Sequence, residues 1–392
     1  MKAVVFHKPK DIRVEEWPDP QIEHPRDAIV RVTSTAVCGS DLHIYNGTFP
    51  QLRPMVLGHE FMGTVEDIGA EVGNLKKGDR VVVPFPIACG VCWFCKHGLQ
   101  THCENSNPKH YGPDGGVLVG KGGGLFGYTD LYGGYDGGQA QYVRVPYADY
   151  GPRKVPDGLQ DEEVLFLTDI FPTGYAAIDW ADLQGGETVA VFGCGPVGLM
   201  AQKSAWLKGA GRVVGLDVEQ YRLDVAEKAA GSETMLIGDD EEYLEKLREM
   251  TEGRGPDVCV DAVGMEAHIG TLRKVEAAAH LEAGTIDGLK MATTAVRRGG
   301  TIPVVGVYGT SYDNFPWGQI FDKGLKLHSG QCPVQYYIDD LMKLVQERKV
   351  KLYDIISHIG PLDDAPVYYK VFNDKLDDCT KVVLKPWQAP TA

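Results

Sequence analysis

Three glycines in the run Gly193-Cys194-Gly195-Pro196-Val197-Gly198 follow a β-branched stretch, Thr188 to Phe192, and open a helical pattern from Pro196 to Lys208. Strand, glycine turn and helix in that order leave the chain few folds. Gly193 permits the tight turn, Gly195 lets the backbone approach a pyrophosphate, and Gly198 lets helix and strand pack closely. Pro196 and Val197 begin the helix, whose unpaired N–H groups and macrodipole favour an anion. Asp217 ends the next strand, 24 residues after Gly193, where a carboxylate accepts hydrogen bonds from the adenosine ribose. A 2′-phosphate there would meet like charge, which points to NAD over NADP. Arg222 either contacts the adenosine end or recruits a phosphate, and Cys194 reads as a packed small residue.

The alternation continues on both sides of the motif. Arg212 to Leu216, Thr234 to Ile237, Val258 to Val260, Ile302 to Val305 and Leu325 to His328 read as strands, with helices over Glu219 to Ala230 and Glu241 to Met250. Such alternation predicts a doubly wound parallel sheet. Met265 to Arg298 exceeds one crossover helix and reads as an insertion. The tail adds a helix over Tyr337 to Val345 and a strand over Lys381 to Leu384. Before Thr168 the pattern differs. Ala3 to Phe6, Ala28 to Val32, Phe61 to Ile68, Arg80 to Val83 and Ala140 to Val145 are short strands punctuated by turn residues, which close most naturally as a small β-barrel. Asn105 to Gly138 is rich in Gly and Tyr without periodicity and reads as loop.

A chain of 392 residues accommodates two domains. Its 54 acidic against 39 basic side chains argue against nucleic acid, which needs clustered Lys and Arg. No segment approaches the roughly 18 apolar residues of a membrane span. The apolar run at the N-terminus is too short for a signal peptide, and a cysteine cluster of metal type fits a reducing cytoplasm.

That cluster is Cys89, Cys92, Cys95 and Cys103, a C-x2-C-x2-C-x7-C spacing. Four thiolates in a short loop suit tetrahedral Zn²⁺, and the seven-residue gap departs from the ferredoxin pattern for an iron–sulfur cluster. A site closed by four protein ligands is structural, leaving His97 and His102 as loop residues. Cys38-Gly39-Ser40-Asp41-Leu42-His43 and Gly58-His59-Glu60 suggest a second, dispersed site. Cys38 and His59 are candidate ligands there, although each alone reads equally as a buried cysteine or a satisfied histidine.

These two elements, the four-cysteine lobe and the dinucleotide motif together resemble the medium-chain, zinc-dependent alcohol dehydrogenase family over essentially the whole chain. The resemblance implies an α/β protein with a GroES-like β-barrel catalytic domain carrying the structural zinc lobe (1–168). A doubly wound parallel-sheet Rossmann domain that binds NAD follows (169–331), with a C-terminal return to the catalytic domain (332–392). In the family a third catalytic-zinc ligand precedes T-G-Y, which here is Asp169 in Asp169-Ile170-Phe171-Pro172-Thr173-Gly174-Tyr175. Two zinc ions per chain are therefore implied, one catalytic and one structural.

Many family members carry Cys at the third position. Asp169 is similar instead to the glutathione-independent formaldehyde dehydrogenases and formaldehyde dismutases, as are Gly137-Gly138-Gln139-Ala140-Gln141-Tyr142-Val143 and Ser329-Gly330-Gln331-Cys332-Pro333-Val334. Gln141 stands where Glu is usual in that branch, and Cys332 departs from Thr. The Met265 to Arg298 stretch matches a long loop that in that branch covers the adenine side of the cofactor.

The resemblance also assigns roles. Asp41 fixes the tautomer of His59; Glu60 approaches the metal during ligand exchange or remains a solvated or structurally paired acid; Ser40 passes a proton through the nicotinamide ribose to His43 and on to water. Phe85 lines the substrate pocket, and Thr173, Gly306 and Val307 place the nicotinamide. The implied reaction is hydride transfer between NAD and a small aldehyde hydrate or primary alcohol, closest to formaldehyde dehydrogenase. A formaldehyde dismutase with retained NAD and a polyol or amino-alcohol dehydrogenase are the alternatives on this scaffold. A non-catalytic NAD-binding protein would be expected to lack one of Cys38, His59, Asp169, Ser40 or His43, and all five are present. A homodimer or homotetramer is the family's expectation.

Overall fold

The computed structural model describes residues 1–49, 51, 53–107, 122–238, 241–266, 285–309, 312 and 314–389. The chain forms two compact units, Met1–Pro172 with Pro333–Ala392, and Thr173–Cys332.

The first unit is built on strands β1 (Lys2–Lys8), β2 (Asp11–Glu16), β3 (Ala28–Val37), β4 (Met55–Val56), β5 (Glu60–Ile68), β6 (Arg80–Val83), β7 (Pro86–Ile87), β8 (Gly124–Leu125), β9 (Tyr142–Val145) and β10 (Arg153–Lys154). Alternate residues point inward, as a strand's two-residue period requires. Val30 and Val32 of β3, Phe61 and Val65 of β5, Val81 and Val83 of β6, and Val143 and Val145 of β9 share one core with Phe126. Phe126 meets Phe61 edge-on at 5.1 Å.

The second unit holds β11 (Thr188–Phe192), β12 (Arg212–Asp217), β13 (Glu233–Leu236), β14 (Val258–Asp261), β15 (Thr301–Val304) and β16 (Lys326–Ser329) in the order 13-12-11-14-15-16, every pair parallel. Helices cover both faces, so these strands read as continuous apolar runs. Ala190, Phe192, Val214 and Leu216 face Leu244, Leu247, Leu289 and Ala292; Val189, Val191, Val213 and Val260 face Ala177, Ile178, Ala201 and Ala205. The sheet order reverses between β11 and β14, and ligands of such sheets bind beyond the strand ends at that reversal.

The chain then returns to the first unit through the helix Val334–Gln346, β17 (His358–Pro361), the helix Ala365–Asn373 and β18 (Val382–Lys385). β18 pairs with β3, completing the order β10-β6-β5-β3-β18-β17 with β9 also on β3.

Two expectations change. The Asn105 to Gly138 stretch is not all loop, because β8 pairs antiparallel with β7; residues 108–121, including Lys121, lie outside the described residues. Within Met265 to Arg298, residues 267–284 likewise lie outside them, but Asp287–Ala295 is a helix between β14 and β15. Leu289, Ala292 and Ala295 bury on the sheet, so this part is an ordinary crossover. One glycine and two threonines weaken its helix propensity, which concealed it. Among the described residues no helix is long and apolar enough to cross a membrane.

Candidate active site

Strand register brings the dispersed residues together. Ala36 of β3 lies opposite Glu60 of β5 on one side and Val383 of β18 on the other. The end of β3 thus delivers Cys38, the start of β5 delivers His59 and Glu60, and the lead into β18 delivers Lys381, all at one end of the sheet. Asp169 arrives after the turn Leu165–Thr168, which is held by the Phe85 N–H donating to Thr168 O at 3.0 Å.

One ligand atom from each of Cys38, His59, Glu60 and Asp169 falls within 4.8 Å of the others. Asp169 Oδ2 lies 3.6 Å from Cys38 Sγ and 3.3 Å from His59 Nε2. A tetrahedral zinc with bonds of about 2.0–2.3 Å has edges of about 3.3–3.8 Å, so the separations and the sulfur, nitrogen and oxygen donors fit that ion. Burial pushes the Cys38 thiol up to about 11, whereas a coordinating cation deprotonates a thiol outright. Burial also opposes a charge on His59, but Asp41 and Cys38 outweigh it and raise its proton affinity, the pull a bound cation would replace.

Glu60 is not solvated. Its Oε1 accepts from Lys381 Nζ at 2.6 Å, and both side chains are wholly buried. Burial disfavours the Lys381 ammonium, yet Glu60 and Cys38 outweigh it and keep it charged. With the Glu60 charge offset by Lys381, Cys38 and Asp169 alone balance a divalent ion. His59 Nδ1 lies 3.1 Å from Asp41 Oδ1. The helix Gly39–Tyr45 starts at Cys38 and sets Ser40 and His43 three residues apart on one face, with His43 buried and Ser40 half-buried. Phe85 and Tyr128 stand edge-on to the His59 ring at 6.1 and 6.2 Å, and Phe49 bridges Tyr128 and His43 at 5.9 Å from each.

The sulfurs of Cys89, Cys92, Cys95 and Cys103 also fall within 4.8 Å of one another. Cys89 Sγ accepts from the N–H groups of Val91 and Cys92 at 3.4 Å and from Asn105 Nδ2 at 3.3 Å, and Cys103 Sγ accepts from the Cys89 N–H at 3.3 Å. Such N–H donation stabilises thiolates, and a 4.0 Å separation of Cys89 and Cys95 sulfurs is close to the edge of a tetrahedral Zn–S4 site, about 3.8 Å.

In the second unit Gly193 has φ +93°, and a Cβ on Gly198 would sit 1.8 Å from Gly193 O, so both glycines are obligatory. A Cβ on Gly195 would meet no atom of the chain within 4 Å; nothing internal demands glycine there, whereas close approach of a pyrophosphate does. Gly195 caps the helix Pro196–Leu207, with Pro196 and Val197 in its first turn. Asp217 accepts from the Cys194 N–H at 2.7 Å and the Glu219 N–H at 3.0 Å, with Arg222 3.8 Å away. Gly306 and Val307 pack backbone to backbone on Gly264, and Val307 O accepts from the Met265 N–H at 2.9 Å. Thr173 is buried in the helix Ile170–Ala181.

Sequence reasoning passed over Lys381, Gln139, Tyr369, Phe49 and Tyr128. A lysine heading the apolar run Val382-Val383-Leu384 was a usable signal, since a buried charge needs a partner.

Comparison with known proteins agrees with this geometry. Residues 24–157 match the family model of the alcohol dehydrogenase GroES-like domain, and residues 196–281 that of zinc-binding dehydrogenases. The chain is 45% identical to an uncharacterized zinc-type alcohol dehydrogenase-like protein, AdhB, of Bacillus subtilis, over 98% of this chain and all of that one. It is 35% identical to a glutathione-independent formaldehyde dehydrogenase of Pseudomonas aeruginosa, covering 95% of this chain and 94% of the relative. The solved structure of alcohol dehydrogenase TADH from Thermus sp. ATN1 superposes with a TM-score of 0.82 at 34% identity, covering 98% and 99% of the two chains.

Proposed function

The chain belongs to the zinc-type alcohol dehydrogenase family of oxidoreductases, and from that premise we propose that it oxidises formaldehyde hydrate or a short primary alcohol with NAD⁺. The observation that carries this reading is the convergence of Cys38, His59 and Asp169 at tetrahedral spacing, with aromatic rings crowding the histidine. Cys38, His59 and Asp169 would hold the catalytic zinc, and Cys89, Cys92, Cys95 and Cys103 a structural one. When bound, the catalytic ion supplies Lewis-acid polarisation of a carbonyl or hydroxyl oxygen.

The protein's own groups do the rest. Asp41 orients His59. Ser40 takes the substrate hydroxyl proton as it releases its own toward His43, which hands a proton on to water. Phe85, Tyr128 and Phe49 restrict the pocket and favour a small substrate. Gly193 to Gly198 would hold the pyrophosphate, Asp217 the adenosine ribose with Arg222 beside it, and Thr173, Gly306 and Val307 the nicotinamide. When bound, the nicotinamide would supply the hydride acceptor.

The test is a panel of formaldehyde, acetaldehyde, methanol, ethanol and larger alcohols, with and without added NAD⁺ and glutathione. NAD⁺-dependent turnover of formaldehyde without glutathione is expected. A requirement for glutathione, or a preference for long alcohols, would contradict the reading. Turnover without added NAD⁺ would identify a dismutase with retained cofactor.

A further inference from the structure

Behind His59 lies a buried polar chain that reaches the C-terminal segment. Tyr369, in the helix Ala365–Asn373, is wholly buried, and its hydroxyl donates to Gln139 Oε1 at 2.8 Å. Gln139 Nε2 donates to Asp41 Oδ2 at 3.2 Å and to Ala36 O at 3.1 Å. Asp41 Oδ2 also accepts from the Cys38 N–H at 3.0 Å, while Asp41 Oδ1 faces His59 Nδ1 at 3.1 Å. That distance is within ion-pair reach, and among the described residues neither Oδ1 nor Nδ1 makes a hydrogen bond, so each is the polar neighbour left for the other to engage.

The chemistry of the members fixes a single direction. Asp41 and Ala36 O only accept, so both must face the amide NH₂ of Gln139. Its carbonyl oxygen must then face a donor, and Tyr369 provides it. Burial holds Tyr369 protonated. The geometry is built for this residue: Gly58, with φ +98°, precedes His59, and a Cβ there would lie 2.4 Å from Gln139 Cγ.

We propose that Gln139 and Tyr369 are positioning residues for the metal-ligating edge of His59. The chain from Tyr369 through Gln139 to Asp41 holds the His59 proton on Nδ1 and turns Nε2 toward Cys38 and Asp169. The inference rests on reading Cys38, His59 and Asp169 as a zinc site.

The test is zinc release from the full-length, zinc-loaded protein to a chelator, followed without reference to turnover. Outer partners of a ligating histidine typically alter metal affinity by about 10–100-fold. Tyr369→Phe and Gln139→Met are therefore expected to lose one zinc at least about tenfold faster than the parent, with the four-cysteine zinc unaffected. Tyr45, whose ring packs on Tyr369 at 5.6 Å, supplies the control: Tyr45→Phe should release zinc at the parental rate. A parent with two zinc ions and unaltered release in both variants would overturn this inference alone. Equal acceleration in Tyr45→Phe would overturn it in favour of packing. A parent that binds only the four-cysteine zinc would defeat the underlying reading, and this inference with it. Should Tyr369→Phe fail to fold, Gln139→Met carries the same comparison.

Discussion

At Asp217 one carboxylate does two jobs. It braces the glycine turn by accepting from Cys194 and the next helix by accepting from Glu219. On the proposed reading it also presents negative charge where a 2′-phosphate would sit. Asp217→Asn removes the charge while keeping one of the two acceptor oxygens that brace Cys194 and Glu219. Like charges brought together cost several kcal/mol, so the preference for NAD⁺ over NADP⁺ in kcat/KM is expected to fall by about tenfold or more. Parallel kinetics with the two cofactors checks this, and an unchanged ratio would remove Asp217 from cofactor selection. The residue was legible because a glycine triplet and an acid at fixed spacing have a local physical cause. The pairing of Tyr369 with Gln139 was not: it joins residues 230 apart, and although Gln139 stands in a recognisable stretch, no local spacing announces its partner.

Among elements, the short helix Asp161–Val164 is tied to the sheet by its first side chain. Asp161 accepts from Ser34 of β3 at 3.0 Å and from Arg80 of β6 at 2.6 Å, and also from Thr33. Burial would push its carboxyl up, but the bonds from Thr33, Arg80 and Ser34 outweigh it and hold it below the ordinary carboxylate range. A depressed folded-state value means the stabilisation is present above the unfolded value and is lost as pH falls through the folded one. Asp161→Asn is expected to cost about 2 kcal/mol at neutral pH, the range for hydrogen bonds to charged groups. The gap from the parent should shrink below about pH 4, where the unfolded carboxyl protonates. Denaturant titrations at pH 7 and pH 3 check it; a gap independent of pH would contradict it. Strand and helix positions were largely legible from their two periods. The two-residue strands β7 and β8 were not, because a pair so short has no periodicity to show.

Across the whole chain, β18 sits beside β3 although nearly the full sequence separates them. That neighbour relation was invisible in the sequence, since strand patterning gives faces and not partners. It places Lys381 on Glu60 across 321 residues, with both side chains out of reach of water. Removing one partner of such a pair strands a buried charge, so Lys381→Met is expected to lose about 3–5 kcal/mol of unfolding free energy. Adding Glu60→Leu should recover part of that loss, and a double variant less stable than Lys381→Met would contradict the pairing. The measurement that bears most directly on the catalytic reading is zinc content per chain by elemental analysis, in the parent and in Cys38→Ser. Two ions are expected in the parent, matching its two donor clusters, and Cys38→Ser should retain the four-cysteine zinc alone while losing hydride transfer. A folded Cys38→Ser protein that keeps both ions, or a parent that turns over with only one, would contradict it.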